Sequence, residues 1–447
     1  MAHHHHHHMQ TYINPPLSEW KNLIQRPVQK AEDLQNIVLT VFEDIKNEKD
    51  KALINYTKKF DKAYLTDIRV SSDEITAAIA LVSDELIQAI QMAASNIEKF
   101  HASQKENKNI IETTEGVNCW REARPIENIG IYIPGGSAPL FSTVLMLGIP
   151  AQLAGCKNIT LCTPPDESGN INPAILYTAN LIGIKNIYKA GGIQAIGAMT
   201  FGTETIEKAD KIFGPGNQYV TAAKQIAQNF GVAIDMPAGP SEVLVIADTT
   251  ANPEFVAADL LSQAEHGADS QVILLTTDEN ILQQTLMQVE NQLTQLPRKS
   301  IASQALLQSR GIVLDSIEKC IAFSNLYAPE HLILAIENTE NYTDKITSAG
   351  SVFLGNFSCE SAGDYASGTN HTLPTNGYAR NYSGVSLDSF IKKITFQKVT
   401  KKGIQNIGPG IEKMAEAEEL FAHKHAVSVR LKSLNSQNNT LIKDEKF

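Results

Sequence analysis

Apolar and polar positions follow two different patterns along the chain. Over residues 28–60 and 71–105 the apolar positions recur with a helical period, as at Val38, Phe42 and Ile45, and this predicts helices. From residue 128 onward, short apolar runs of strand length alternate with segments of helical period. This alternation predicts an α/β fold in which helices link the strands of a parallel sheet.

The alternation occurs twice, and each series predicts one doubly wound half of the fold. The first series places strands at 128–133, 158–162, 186–189, 211–213 and 232–235, with helices at 142–154, 173–181 and 218–229. The second places strands at 242–247, 271–275, 311–314, 332–334 and 351–354, with helices at 253–265, 279–295 and 316–323. The earlier helical regions would cover this core as an N-terminal layer.

The two ends of the chain and one internal segment fall outside this pattern. Residues 1–8 carry a run of histidines and are interpreted as an expression tag. Residues 9–26, punctuated by prolines, predict a small N-terminal arm. Residues 356–382 are rich in Gly, Ser and Asn, and a loop of that length is typical of a functional segment. The C-terminal arm is predicted to contain a strand at 393–398, a helix at 411–420 and a disordered tail at 435–447.

The composition excludes several classes of function. The formal net charge is −11, and no basic stripe is interleaved with aromatic residues, which argues against nucleic-acid binding. No apolar run is long enough to span a bilayer, and no signal peptide is recognisable. The five cysteines are odd in number and include no C-x-x-C pair. This usage is typical of a reducing compartment and predicts a cytoplasmic protein.

Three glycine-rich segments follow predicted strands of the first half, where parallel sheets bind ligands. Their glycines would let backbone N–H groups approach a phosphate at a helix N-terminus. The G-x-G-x-x-G dinucleotide pattern is not met, because Tyr219 stands where Gly214 and Gly216 require a third glycine. Tight turns therefore remain an alternative to a cofactor site. The segments span residues 134–139, 191–194 and 213–218.

The helix predicted over 253–265 ends in polar residues. Gln263 and His266 would share one face of its last turn, and Gly267 follows as a stop signal. An amide oxygen and an imidazole nitrogen so placed form half of a metal site. Taken by themselves, the two residues fit a capped helix end better.

An adjacent acid and imidazole, Glu330 and His331, stand at the entrance of the strand predicted at 332–334. Such a pair offers two proton-transfer groups with different ordinary pKa values. A solvated loop pair is the alternative interpretation.

Metal-ligating residue types also lie further along the chain. The long loop contains Asp364, and His423 and His425 follow the last predicted helix. Together with Gln263 and His266, Asp364 and one of these histidines would form a nitrogen and oxygen ligand set suited to zinc. The spacing is too wide for any short zinc motif.

The chain contains several distinctive segments in a fixed order: PGGSAPLFSTVLMLGIPAQLAGC, GGIQAIGAMTFGTE, KIFGPGNQYVTAAK, IDMPAGPSEVLVIAD, DLLSQAEHGADSQVILL, YAPEHL, GDYASGTNHTLPT and AHKHAV. Together they resemble the histidinol dehydrogenase family, and the resemblance extends from about Tyr12 to Leu434. It implies a zinc-dependent enzyme that oxidises L-histidinol through L-histidinal to L-histidine. This is the last step of histidine biosynthesis, and it uses two NAD molecules in turn.

The resemblance also assigns roles to individual residues. One zinc ion per active site would be bound by Gln263, His266, Asp364 and His423, and these ligands would also contact the substrate. The acid/base pair would be Glu330 and His331, also in contact with the substrate. Further substrate contacts would come from Ser241, His371 and Glu418. The NAD contacts would be Tyr132, Gln194 and Asn217.

The resemblance further implies two Rossmann-like, aldehyde-dehydrogenase-like halves. Residues 119–240 would bind NAD, and residues 27–118 with 241–385 would form the catalytic, zinc-binding domain. Residues 386–434 would be a dimerisation tail. The protein would then be a homodimer with exchanged tails, without nucleic-acid or membrane partners.

Three alternative functions stay open at this point. A thiol-dependent dehydrogenase would use Cys119 or Cys359 as the nucleophile, but the zinc-type residues would then have no role. A metallohydrolase would use metal-activated water with Glu330 as the base. A metal-binding protein without activity is the third.

Overall fold

The computed structural model describes residues 8–27, 34–136 and 138–436. Most of the predicted tag and residues 437–447 of the predicted disordered tail lie outside the described residues. The chain divides into two compact units. The first unit comprises residues 1–104 and 126–390, and the second comprises residues 105–125 and 391–447.

The described residues are mostly strands and helices. The strands are β1 Gln10–Ile13, β2 Ile111–Thr114, β3 Val117–Pro125, β4 Asn128–Tyr132, β5 Asn158–Thr163, β6 Asn186–Lys189, β7 Lys211–Phe213, β8 Ala233–Ile234, β9 Glu242–Ala247, β10 Gln271–Thr276, β11 Arg310–Val313, β12 His331–Ala335, β13 Ser351–Leu354 and β14 Ile391–Val399. The helices are α1 Leu17–Leu23, α2 Leu34–Glu48, α3 Asp50–Asp61, α4 Ser72–Ile79, α5 Asp84–Ala102, α6 Phe141–Ala154, α7 Pro173–Leu181, α8 Gly192–Phe201, α9 Gln218–Ala227, α10 Pro253–Ala264, α11 Glu279–Leu293, α12 Lys299–Leu307, α13 Ile317–Tyr327, α14 Glu360–Tyr365, α15 Lys401–Ala417 and α16 Phe421–Ser436.

The first α/β half forms a parallel sheet, described with the strand order β6-β5-β4-β7-β8. The predicted strand positions are confirmed, although β8 is two residues shorter than predicted. Helix α8 was not predicted, because residues 193–200 are all buried. A helix that is covered on every side has no one-sided apolar period.

The predicted helical layer is also confirmed. Phe42 and Ile45 of α2 are buried in one cluster with Ile196 and Met199 of α8, so the layer covers the first sheet. Helix α4 begins with a capping box between Ser71 and the third residue of the helix. No single described helix is long and apolar enough to cross a bilayer, whereas α4 and α5 taken together, bent by 109°, have the length and composition of a broken span.

The second α/β half forms another parallel sheet, described with the order β1-β11-β10-β9-β12-β13. Its edge strand β1 comes from the segment predicted as an N-terminal arm and pairs with β11. Trp20 and Leu23 of α1 are buried in the core on one side of the sheet. The arm is therefore built into the sheet. The strand β1 was not predicted, because its four residues are at most half-buried and show no recognisable alternation of apolar and polar positions.

The second unit contains an antiparallel sheet of order β14-β3-β2 and the helices α15 and α16. The strand predicted at 393–398 is confirmed within β14, whose Phe396 stacks on Trp120 of β3 with ring centroids 5.8 Å apart. The helix predicted at 411–420 was misplaced, because α15 already begins at Lys401. Helix α16, which continues to Ser436, was not predicted. Strand β3 runs across the domain limit predicted at residue 118.

One glycine sets how closely two strand ends approach in the first sheet. Gly214, just after β7, has φ +135°, and an added Cβ atom would lie 2.2 Å from the Tyr132 carbonyl oxygen. We expect Gly214→Ala to lower the free energy of unfolding in urea by about 2–4 kcal/mol, because backbone atoms cannot move aside cheaply. Gly231→Ala is the matched control, since Gly231 also has positive φ but nothing lies within 4 Å of its added Cβ. The control should lose only about 1 kcal/mol, and equal losses would contradict a steric origin.

Candidate active site

A cleft of about 1300 Å³ opens at the carboxyl ends of the first sheet. Tyr132, Gln194 and Asn217, the three predicted NAD contacts, all line it. The Tyr132 hydroxyl accepts a hydrogen bond of 2.9 Å from the Gly192 N–H at the start of α8. Asn217 caps α9 by accepting from the N–H groups of the second and third residues beyond it. Two helix N-termini therefore lie at the cleft, an arrangement that favours an anionic group such as a pyrophosphate.

Glu330 and His331 lie at the amino end of strand β12 in the second sheet, whereas the cleft lies at the carboxyl ends of strands in the first sheet. Both residues are buried, and Oε1 of Glu330 lies 3.2 Å from Nδ1 of His331. Nδ1 also donates a 3.0 Å hydrogen bond to the Glu242 carbonyl oxygen on the neighbouring strand β9. The hydrogen bond to the Glu242 carbonyl oxygen places the ring proton of a neutral His331 on Nδ1. The lone pair that can accept a proton is therefore on Nε2. The alternative of a solvated loop pair is excluded by this burial.

Three ligand-type side chains meet beside His331. Ligand atoms of His266, Glu360 and Asp364 all lie within 4.8 Å of one another. His331 Nε2 is buried without a hydrogen-bond partner among the described residues and lies 3.6 Å from Oδ1 of Asp364. Gln263 is fully buried, and its amide nitrogen can donate to both carboxylate oxygens of Glu360 at 3.0 and 3.2 Å. A mixed nitrogen and oxygen donor set around an unsatisfied buried nitrogen fits a divalent ion such as zinc.

The charged groups of the cluster shift one another's pKa values. Burial raises the pKa of Glu330 above its ordinary 4.5, with His331 opposing this shift. Burial alone would lower the pKa of His331, but the carboxylates of Glu360 and Glu330 outweigh it and raise that pKa well above 6.5. Burial and the charge of Asp364 raise the pKa of Glu360 well above 4.5.

Glu360 is the member of this cluster that the sequence did not suggest. It lies one helical turn before Asp364 in α14, within the segment predicted as an irregular loop. Two carboxylates at i and i+4 share a helix face, so the spacing was a usable signal. It was missed because a helix of six residues has too few apolar positions for a recognisable period.

His371 connects the cluster to the first half of the fold. Its Nδ1 donates to the Asp364 carbonyl oxygen at 2.9 Å, and its Nε2 accepts from the Thr143 hydroxyl of α6 at 3.1 Å. Burial lowers the pKa of His371, which keeps the imidazole neutral. Ser241, another predicted substrate contact, is half-buried immediately before β9.

The remaining predicted site residues belong to the second unit. Glu418 directly follows α15, and His423 lies in the first turn of α16. Both side chains are exposed, as is that of His425. The fourth zinc ligand and the last substrate contact therefore stay predictions, whereas Gln263, His266 and Asp364 lie together in the first unit.

A buried histidine, His101, supports the loop that carries His371. Its Nδ1 donates to the Ile97 carbonyl oxygen at 2.7 Å, and Nε2 accepts from the Asn370 amide at 3.2 Å. Burial lowers the pKa of His101 below its ordinary 6.5. The unfolded chain therefore binds the proton more readily, and the stabilising contribution of neutral His101 is present above pH 6.5 and is lost as the pH falls.

We expect the His101→Gln variant to have a shallower pH dependence of stability than the unmodified protein. Glutamine can accept from Asn370 but does not titrate, so lowering the pH from 8 to 5 should reduce its melting temperature less. The measurement is thermal unfolding by circular dichroism across this range. Exposed His425→Gln is the control and should follow the unmodified profile. Parallel profiles for His101→Gln and the unmodified protein would contradict the burial effect.

A dinucleotide-sized cleft on one parallel sheet, in a chain that also holds a buried acid and imidazole pair and a cluster of metal-ligating side chains, is typical of α/β oxidoreductases that use a dinucleotide cofactor. Residues 24–431 match the histidinol dehydrogenase family. The chain therefore belongs to the histidinol dehydrogenase family, and the resemblance seen in the sequence is confirmed.

Two histidinol dehydrogenases agree with this assignment. The chain is 56% identical to the histidinol dehydrogenase of Bacteroides thetaiotaomicron over 420 residues, which cover 94% of this chain and 98% of that protein. It is 53% identical to the histidinol dehydrogenase of Haemophilus influenzae over 431 residues, which cover 96% and 100% of the two chains. Among solved structures, an acetylating aldehyde dehydrogenase from Geobacillus thermoglucosidasius aligns with a TM-score of 0.46 and 16% identity, covering 80% of this chain and 97% of that one.

Proposed function

We propose that this protein oxidises L-histidinol through L-histidinal to L-histidine in two successive NAD-dependent hydride transfers that require zinc. The observation that carries the proposal is the buried Glu330 and His331 pair beside His266, Glu360 and Asp364, in a chain of this family. The pair supplies proton transfer, and the cluster supplies a place for a cation.

The metal would be held by Gln263, His266 and Asp364, with His423 from a second copy of the chain as the fourth ligand. Glu360 is close enough to share this role or to orient Gln263. A bound divalent ion would hold the nitrogen atoms of the substrate and would offset the carboxylate charge that raises the pKa of His331.

His331 is the proton acceptor for the hydroxyl group in this proposal. Its Nδ1 is fixed by the Glu242 carbonyl oxygen, so Nε2 takes the hydroxyl proton as hydride leaves the carbinol carbon for the nicotinamide. Glu330 then takes a proton from the water that adds to the aldehyde. His331 returns its proton to the aldehyde oxygen as the water adds, so its Nε2 can serve again as the base for the second hydride transfer, from the resulting hydrate.

NAD would bind in the cleft of the first sheet. Tyr132, Gln194 and Asn217 offer hydroxyl and amide groups there, and the N-termini of α8 and α9 favour the pyrophosphate. The cleft lies at the sheet edge where nucleotides bind in parallel α/β folds. A metallohydrolase would have no use for it.

The proposed active unit is a homodimer. Glu418 and His423 lie in the second unit, where their side chains are exposed, and exchange of this unit would let them complete the site of another chain. Gel filtration with light scattering should then give twice the mass of one chain. Mixing His423→Ala with Gln263→Ala protein should restore up to one intact site per hybrid dimer.

The direct test is NADH formation from L-histidinol by protein from which the tag has been removed. Two NADH per histidinol consumed, with L-histidine as the product, is the expected result. One NADH with accumulation of aldehyde would remove the second oxidation from the proposal, and no NADH at all would overturn it.

The thiol mechanism predicts a different response to cysteine replacement. Cys359 directly precedes Glu360 of α14, so it is the cysteine nearest in sequence to the cluster. Its side chain is half-buried. We expect Cys359→Ser to keep kcat within about threefold, because the proposed chemistry forms no thioester. Cys119→Ser is the matched control. A loss of about a thousandfold or more in Cys359→Ser alone would favour covalent catalysis.

A further inference from the structure

A largely buried ion pair contacts the acid and imidazole pair. Arg26, just after α1, donates from Nε to Oε2 of Glu242 at 2.7 Å and from a terminal nitrogen to Oε1 at 2.8 Å. The side chains of Arg26 and Glu242 are only 15% and 3% exposed. This two-point contact joins the N-terminal segment to the start of β9 across a separation of 216 residues.

Arg26 also holds the chain segment that leads into the acid and imidazole pair. The same terminal nitrogen donates to the carbonyl oxygens of Tyr327 and Ala328, at 2.7 and 3.2 Å. The guanidinium carbon lies 3.9 Å from the centre of the Tyr327 ring. Ala328 has φ +56°, a left-handed conformation that is unfavourable for alanine. The contacts of Arg26 hold this strained turn two residues before Glu330.

Glu242 in turn contacts both members of the pair. Its Oε1 accepts from the Glu330 N–H at 3.2 Å, and its own N–H donates to Oε1 of Glu330 at 3.1 Å. Its carbonyl oxygen accepts from Nδ1 of His331 at 3.0 Å. The position of Glu242 therefore determines where the Glu330 carboxylate lies and how the His331 ring is oriented.

We propose that Arg26 is a positioning residue, which acts through Glu242 to align Glu330 and His331 for proton transfer; this inference rests on the proposed function of that pair. Without the guanidinium, the Glu242 carboxylate would be a buried charge beside Glu330 with no cation to balance it. Such a charge takes up a proton, which weakens the contact with the Glu330 N–H, or turns toward water, which breaks it. Displacements of about 1 Å at a reacting group lower rates by about a hundredfold.

The first experiment is structural and does not depend on turnover. Crystal structures of the tag-free protein and of Arg26→Met should differ at residues 327–331, with the Glu330 carboxylate and the His331 ring displaced. Arg310→Met is the matched control, because Arg310 binds the same N-terminal segment through the carbonyl oxygens of Leu23 and Gln25. An unchanged arrangement of Glu330 and His331 in Arg26→Met would overturn the inference.

The second experiment measures steady-state kinetics with histidinol and with histidinal. Arg26→Met should lower kcat by about ten- to a hundredfold in both reactions, with the KM for NAD within about twofold. Added guanidinium ion should restore part of the rate, and Arg310→Met should stay within about threefold of the unmodified protein. If Arg26→Met does not fold, Arg26→Lys keeps the charge but loses the two-point contact and should show the same direction of change.

A double-variant comparison separates positioning from a general structural defect. In a His331→Asn background, Arg26→Met should cause little further loss in formation of the first NADH in a single turnover, because the base for that step is already missing. The same loss in both backgrounds would overturn the inference. If the unmodified protein forms no NADH while Arg26→Met still displaces Glu330 and His331, the proposed function fails and the positioning role stands.

Discussion

His331→Asn is expected to lower kcat for both oxidations by about a hundredfold to ten-thousandfold, the range contributed by general acid–base catalysis. Asparagine can still donate to the Glu242 carbonyl oxygen, but it has no lone pair that could replace Nε2 of the imidazole. Both hydride transfers require removal of a hydroxyl proton, first from histidinol and then from the hydrated aldehyde. The loss should therefore be similar in the two reactions.

Glu330→Gln should separate the two steps. An amide cannot accept a proton from water, so oxidation of added histidinal should slow by about a hundredfold, while formation of the first NADH in a single turnover should change much less. Glu337→Gln is the control, because Glu337 lies just after the carboxyl end of β12 and its side chain is exposed. Equal losses in both steps for Glu330→Gln would contradict this division of roles.

Metal removal is the second change with a large expected effect. Chelation of the tag-free protein should lower NADH formation from histidinol by at least about a hundredfold, and added zinc should restore it. The tag must be absent, because its own histidines bind metal. A rate that is unaffected by the chelator would leave a dehydrogenase but remove the metal from the mechanism.

Metal content provides a readout that is independent of activity. Asp364→Asn should lose about 10- to 100-fold in zinc affinity or more, measured as zinc retained per chain after dialysis. Asp344→Asn removes an exposed carboxylate elsewhere in the first unit and should retain zinc like the unmodified protein. Equal zinc content in both variants would show that the metal lies elsewhere.

The sequence determined the α/β class and most of the strands, because their patterns are local. Strands β9 and β10 are buried at every position, and continuous apolar runs of five and four residues, at 243–247 and 272–275, identify them. The same locality made Gln263 and His266 recognisable at one helix end. The distinctive segments also determined the family, since several of them in one order identify it more specifically than any single motif.

Only the tertiary structure decided which distant groups meet. Glu360 joined the cluster through a helix too short to be recognised in the sequence. The N-terminal segment became an edge strand and supplied Arg26 to a carboxylate 216 residues away. Apolar periodicity reports which side of a segment is buried, but it carries no information about the partner on that side. Which charged residues far apart in sequence contact each other depends on how the folded chain packs and pairs them. Local patterns therefore determined the helices and strands, and the tertiary fold determined the site.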